Sequence, residues 1–160
     1  MTAFVDDGGT EIVVMYRQYD GMPTGHGKAL KEFLSGMKMV NGLGGDGRVA
    51  NGMPCLAAQV IGHFKFGQGD AYKGMPKKRR EKYTPKYLPA GGFYLYPAGV
   101  RDCGEEYIYT LSIKGGDAMN DGGVLHLKVE DASQKGLALY DGPIDDFDPQ
   151  EAAAESKAAT

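Results

Sequence analysis

The second half of this chain contains four short strand patterns with no helix pattern between them. Glycine-rich turns separate them, and they lie at Gly92–Tyr96, Glu105–Ile113, Gly123–Glu130 and Lys135–Tyr140. Strands that follow one another without an intervening helix pair antiparallel, because a parallel pair needs a long crossover connection. This half of the sequence therefore predicts a mainly antiparallel sheet.

The first residues predict two more strands, joined as a hairpin. A short strand at Thr2–Val5 leads into the turn Asp6–Gly9, whose Asp-Gly and Gly-Gly pairs supply the positive φ angles of tight hairpin turns. Glu11–Arg17 follows as a strong strand with apolar side chains on both faces. Such a pattern is typical of a central strand that is covered, at least in part, on both sides.

Two helices are predicted between the hairpin and the later strands. The first has an apolar face formed by Leu30, Phe33, Leu34 and Met37. The second begins near Pro54, a favourable first-turn residue, and carries a longer apolar stripe. That stripe consists of Leu56, Ala57, Val60, Ile61 and Phe64. The prediction is an α+β fold, with a mainly antiparallel sheet of about five or six strands and two helices packed on one face.

Composition bounds the class of protein. The chain has 160 residues, of which 42% are hydrophobic and 24% charged, as in an ordinary globular domain. The 25 glycines follow no triplet period, which indicates many turns and excludes collagen. No apolar run reaches the roughly 18 residues of a membrane span, and no signal peptide is visible. Because the chain has only Cys55 and Cys103, we expect a cytoplasmic protein (host cytoplasm if viral) without a membrane partner.

Charge is uneven along the chain. Over residues 73–86 seven basic side chains stand against one acidic side chain, within a stretch at about 67–91 that lacks periodicity. We predict one α+β domain over residues 1–143, with an irregular basic insertion at 67–91. An acidic and Ala-rich tail, residues 144–160, is expected to be flexible and to lie outside the core. The acidic remainder of the chain disfavours nucleic acid as a partner, although the basic segment leaves it open.

Four motifs stand in a fixed order along the chain. They are YRQYDGMPTGHG at Tyr16–Gly27, VNG at Val40–Gly42, NGMPCLAAQ at Asn51–Gln59 and GGFYL at Gly91–Leu95. This succession resembles an uncharacterised protein family of bacterial, phage and large-virus genomes. The resemblance implies a shared fold and a phage or viral accessory role, but no activity. The basic insertion looks like an addition to the family pattern, and Pro54 stands where relatives have glycine.

The loop before the first predicted helix has features of an anion-binding turn. Gly21–Gly27 would present bare N–H groups at a helix N-terminus, which favours phosphate or carboxylate. The glycine spacing does not match a Walker A motif, and Ala29 replaces the hydroxyl that would hold magnesium. The same loop also has a purely structural interpretation, in which Asp20 caps a turn and His26 packs against or caps the helix.

We therefore predict a non-catalytic binding domain for a small anionic ligand, nucleotide- or phosphate-like, with no cofactor. Its pocket is expected where the loop 17–26 meets the start of the second helix at 51–55. The predicted ligand-binding residues are Tyr16, Arg17, Tyr19, Asp20, His26, Lys28, Asn51 and Gln59.

Two alternative functions stay open. A cysteine hydrolase or amidase would use Cys55 as nucleophile, at a helix start that activates thiols, with His26 or His126 as base. His126 points away from Cys55 if the helices cover the apolar face of its strand. A protein-interaction module would use the basic insertion to bind a protein partner. No metal site is predicted, because the histidines and cysteines lack ligand spacing.

Overall fold

In the computed structural model, residues 1–40, 42, 47–70, 92–115, 123–134 and 136–159 are described. Within them the strands are β1 (Thr2–Val5), β2 (Glu11–Arg17), β3 (Lys38–Val40), β4 (Val49–Asn51), β5 (Phe93–Tyr96), β6 (Tyr107–Lys114), β7 (Val124–Asp131) and β8 (Leu137–Pro143). The α-helices of the same ranges are α1 (Lys28–Leu34), α2 (Gly52–Asp70) and α3 (Pro149–Ala158). A π-helical turn, Pro23–Gly27, leads directly into α1.

Six of these strands form one sheet in the order β5-β2-β1-β6-β7-β8. All neighbours pair antiparallel except β1 and β6, which run parallel because the chain reaches β6 only after the helices. The short strands β3 and β4 form a separate parallel pair just before α2. The predicted α+β fold with a mainly antiparallel sheet is confirmed.

The helices cover one face of this sheet. The registers place Phe4, Leu111 and Leu127 side by side on β1, β6 and β7, and all three are fully buried in the main core. The predicted apolar stripe of α2 packs into the same core, as do Leu30 and Leu34 of α1. The first helix is shorter than its apolar pattern, because Gly36 adopts a φ of 71° and ends it before Met37.

The second strand is covered on both sides, as its pattern predicts. Met15 belongs to the main core under the helices. Val14 belongs to a smaller cluster on the opposite face, where Tyr16 and Tyr96 pack beside it. Because β2 lies between β1 and β5, it positions side chains on two faces at once.

The expectation that residues 144–160 lie outside the core is corrected by the structure. Ile144, Phe147 and Ala152 are buried in the main core, and α3 follows Phe147. Asp148 caps α3, since its side chain accepts hydrogen bonds from the N–H groups of residues 150 and 151. The acidic residues that suggested a solvated tail are thus capping and surface groups around three buried apolar residues.

The end of α2 overlaps the predicted irregular segment. α2 extends to Asp70, so the first residues of the segment 67–91 are helical. The predicted basic insertion otherwise lies outside the described residues.

Candidate functional site

The loop after β2 brings His26 into the core through close backbone contacts. A Cβ atom on residue 25 would lie 1.9 Å from Oδ1 of Asp20. At position 27 a Cβ atom would lie 3.1 Å from ring carbons of both Tyr109 and Phe147. Glycine at both positions therefore lets the turn fold tightly against Asp20 and the core rings.

The N–H groups of this turn bond within the turn itself. The amides of Gly25 and Gly27 both donate to the carbonyl oxygen of Met22, and that of His26 donates to the carbonyl oxygen of Asp20. The N–H of Lys28 donates to carbonyl oxygens of the same turn. Of the backbone donors in Gly21–Gly27 on which the anion-binding prediction depended, those of Gly25, His26 and Gly27 are therefore already used.

His26 is a fully buried polar side chain with two polar partners. Its Nε2 lies 2.7 Å from Oγ1 of Thr2, and its Nδ1 lies 3.3 Å from Nη1 of Arg17. The rings of Phe64 and Tyr109 both pack with centroids 5.1 Å from the imidazole centroid. Burial, together with the positive charges of the amino terminus and Arg17, holds the pKa of His26 well below its ordinary value of 6.5. The imidazole is therefore neutral at physiological pH.

Arg17 is held from three sides. Besides the contact with His26, its Nη2 donates to Oδ2 of Asp20 at 3.0 Å. Its guanidinium carbon lies 5.5 Å from the ring centroid of Phe93, within the range of a cation–π contact. The Arg17 side chain is 20% exposed, whereas that of Asp20 is 57% exposed. The guanidinium is thus oriented and still reachable from solvent.

A cleft of about 340 Å³ opens beside this arginine. It is lined by Arg17, Tyr19, Asp20, Ala29, His63, Phe64, Gly92 and Phe93. Tyr19 lies at the edge of the cleft and is 70% exposed. The imidazole of His63 stacks on Phe33 at 3.9 Å with an interplanar angle of 13°. The cleft therefore combines one cation, one carboxylate and several aromatic surfaces.

A second recess of about 170 Å³ adjoins the same ion pair. Arg17 and Asp20 line it together with Tyr16, and with the acidic residues Glu105 and Glu106. The Arg17–Asp20 pair therefore borders an aromatic cleft and a smaller acidic recess, and of the two only the cleft has a size typical of small-ligand sites.

The predicted site residues separate into two groups. Arg17, Tyr19 and Asp20 line the cleft, and Tyr16 lines the adjoining recess, while His26 is buried behind Arg17. These residues come from β2 and the loop that follows it.

The other predicted residues lie elsewhere. Lys28 pairs with Glu32 at 3.8 Å and faces a groove between α1 and the start of α3. Asn51 accepts a hydrogen bond from the Gly42 amide, and Gln59 donates to the carbonyl oxygen of Val49. Each therefore has a local partner near the start of α2 or on α1.

The cleft meets α2 at its middle rather than at its start. His63 and Phe64 close it, and they lie about 12 Å along the helix axis from Cys55. Sequence reasoning missed His63 and Phe93 as site residues. The pairing of Arg17 with Phe93 joins strands that are 76 residues apart, and no local pattern reports it. The motif that contains Phe93 predicts the strand β5, but it does not predict that β5 pairs with β2.

The alternative Cys–His pair is not assembled among the described residues. The Cys55 sulfur accepts a hydrogen bond from Gln59 at 3.5 Å, and both nitrogens of His26 are engaged by Thr2 and Arg17. His126 pairs with Asp141 at 3.4 Å. Its neighbours on β7 are buried under the helices, so it faces the opposite side of the sheet from Cys55, as the strand pattern indicated.

Two further properties of the described ranges bear on function. No group of three histidine, cysteine, aspartate or glutamate side chains in them is arranged to hold a metal ion. None of their helices combines the length and apolarity that crossing a bilayer requires. Comparison of the chain with protein-family models, with curated proteins and with solved structures gave no match, so the family resemblance of its motifs stays a prediction.

Proposed function

We propose that the protein is a non-catalytic binding domain that takes a small anionic ligand with a planar ring, such as a nucleotide, in the cleft beside Arg17. The observation that carries the proposal is the oriented guanidinium in a cleft with aromatic walls. Arg17 has contacts with His26, Asp20 and Phe93, and it keeps 20% of its side chain exposed. An oriented arginine is the side chain best suited to a carboxylate or phosphate.

The donors of Arg17 support anion binding in this position. A guanidinium has five N–H donors, and two of its nitrogens are engaged, by His26 and Asp20. The contact with Asp20 is largely exposed, and exposed ion pairs contribute little to stability. Displacement of the Asp20 carboxylate from the guanidinium by a ligand anion would therefore cost little.

The walls of the cleft support a planar ring. Tyr19 is exposed at the edge, and His63 is exposed while stacked on Phe33. Phe93 forms a further wall beneath Arg17. Aromatic side chains stack on bases with little dependence on base identity. The volume of about 340 Å³ lies at the small end of the range for ligand sites, which suits one ring with one anionic group.

The experiment is a binding panel on the wild-type chain and on two matched variants, Arg17→Gln and Lys28→Gln. Inorganic phosphate, ribose 5-phosphate, adenosine monophosphate (AMP) and adenosine are tested by thermal shift and calorimetry at low salt. AMP is expected to stabilise the chain more than phosphate or adenosine alone. Arg17→Gln is expected to weaken AMP binding by about tenfold or more, because a charge-assisted contact is lost.

Lys28→Gln is the control. This substitution also removes one positive charge, but Lys28 lies outside the cleft. Tyr19→Ala tests the ring contact and is compared with Tyr94→Ala, an exposed tyrosine on β5 that does not line the cleft. A flat response of the wild-type chain to the whole panel would refute the proposal. Equal losses in the Arg17 and Lys28 variants would reduce it to non-specific charge attraction.

The proposed setting is cytoplasmic, with a phage or viral accessory role. Its support is the pair of free cysteines, Cys55 and Cys103, together with the motif resemblance. An oxidising location would be indicated instead if the purified chain required a disulfide-linked partner to remain folded.

A further inference from the structure

We infer that His26 is a positioning residue of this cleft: its Nδ1 accepts a hydrogen bond from Arg17 and thereby fixes the direction of the guanidinium. The inference rests on the proposed function for its effect on ligand affinity. The hydrogen bond itself is a property of the free chain and is testable without a ligand. The loop motif predicts His26 as a ligand contact, but His26 is fully buried and does not line the cleft.

The chemistry of the two partners fixes the tautomer. Arginine donates hydrogen bonds and cannot accept them. The Nδ1 atom that faces Nη1 of Arg17 at 3.3 Å must therefore carry a lone pair. A neutral imidazole then has its proton on Nε2, which donates to Oγ1 of Thr2 at 2.7 Å. One ring thus connects a buried hydroxyl on β1 to the guanidinium on β2.

Packing keeps this ring from turning. Phe64 and Tyr109 approach from two sides, the latter edge-on at an interplanar angle of 85°, and Phe93 lies 6.5 Å away. Tyr109 is itself anchored, because its hydroxyl donates to the carbonyl oxygen of Gly21 at 2.8 Å. If the imidazole were flipped, a C–H group would face Arg17. The guanidinium N–H would then lose the Nδ1 atom as its hydrogen-bond acceptor.

Few groups around His26 titrate. The titratable or charged groups near it are the Met1 amino group just before β1, Arg17 on β2 and the Tyr109 phenol on β6. Phe64 of α2 and Phe93 of β5 carry no titratable group. Burial raises the pKa of Tyr109 far above its ordinary range, so this phenol stays neutral. Protonation of His26 would place an N–H at Nδ1 against the guanidinium and replace attraction by repulsion.

The first test observes the hydrogen bond directly in the full-length free chain. Nitrogen-15 spectra of the His26 ring are expected to show a protonated Nε2 and an unprotonated Nδ1 at neutral pH. Arg17→Met should move the Nδ1 resonance, whereas Thr2→Val should move mainly that of Nε2. A protonated Nδ1, or an Nδ1 resonance that ignores the loss of Arg17, would overturn the inference whether or not any ligand binds.

The second test separates positioning from mere structural support. His26→Asn keeps an acceptor oxygen near the position of Nδ1, whereas His26→Gln keeps a polar group near the position of Nε2 but removes the acceptor facing Arg17. Both variants lose the imidazole ring, and their folding is compared by thermal unfolding. AMP affinity is expected to fall by about tenfold in His26→Gln and to be largely retained in His26→Asn.

Equal losses in the two variants would mean that His26 only supports the fold. If wild-type chain binds none of the panel, the proposed function fails while the nitrogen-15 result still decides the role of His26 toward Arg17.

Discussion

The buried imidazole of His26 makes a specific prediction about stability at mildly acid pH. In the unfolded chain His26 takes up a proton around its ordinary pKa of 6.5, whereas in the folded chain burial holds that pKa well below 6.5. Between those two values the unfolded state binds more protons, so the free energy of unfolding falls as pH falls. The contribution of neutral His26 is fully present above about pH 6.5 and is lost progressively below it.

The magnitude follows from the unfolded-state titration. Between about pH 7.5 and about pH 5.5 a group of pKa 6.5 that stays neutral when folded changes the free energy of unfolding by about 1.4 kcal/mol. The Met1 amino group also contributes over this range, because burial lowers its pKa to about 6. The quantity to measure is therefore a difference between wild type and a variant that retains this amino group.

Urea unfolding of wild type and His26→Gln at the two pH values isolates the contribution. Glutamine does not titrate, so the wild-type chain should lose more free energy than the variant on acidification, by up to about 1.4 kcal/mol. The absolute stability of His26→Gln is expected to be lower at neutral pH, and only the pH-dependent part is compared. If both chains lose the same free energy between the two pH values, His26 titrates normally when folded and its burial as a neutral acceptor is refuted.

Four further substitutions test packing. Gly27→Ala should cost about 1 kcal/mol or more in urea unfolding, because its Cβ would press on two buried rings at 3.1 Å, whereas Gly21→Ala meets nothing within 4 Å and should be nearly neutral. Gly62→Ala in the middle of α2 should raise the midpoint of thermal unfolding, since the added methyl meets open space and alanine favours the helix by about 0.5–1 kcal/mol. Phe147→Ala should cost about 3–5 kcal/mol in chemical denaturation, because its fully buried ring would leave a cavity; a loss below about 1 kcal/mol would mean that the segment after β8 is not part of the core.

The elements of this fold could be predicted from sequence where local periodicity decides them. β1 and β2 begin and end where the hairpin pattern places them, because the turn at Asp6–Gly9 and the alternation of apolar residues are local signals. The buried face of α2 was equally readable from its spacing. The sequence did not predict which strands become neighbours. For example, β5 pairs with β2 through residues 93 and 17, which are too far apart in the chain for a local pattern to report.

The segment after β8 was misjudged because its average composition hid its anchors. Asp145, Asp146 and Asp148 make it acidic, but Ile144, which precedes them, and Phe147, which stands among them, are buried. A single aromatic side chain that reaches the core outweighs several exposed carboxylates, because the carboxylates stay solvated at little cost. Averages over a segment therefore fail where one or two residues carry the packing.

The difference between residues that pack in the core and residues that stay exposed also explains why only half of the predicted site residues lie together. In the loop motif, Gly25 and Gly27 give room to Asp20 and to two core rings, and His26 bonds inside the core. The turn amides and the imidazole, which the sequence suggested as ligand contacts, are committed to neighbours within the fold, and the Asp20 carboxylate pairs with Arg17. What the motif leaves at the surface is Arg17, oriented by the buried imidazole, beside the exposed ring of Tyr19. At the proposed site a ligand would therefore contact the exposed side chains of Arg17 and Tyr19, while the glycines and His26 of the motif pack within the fold.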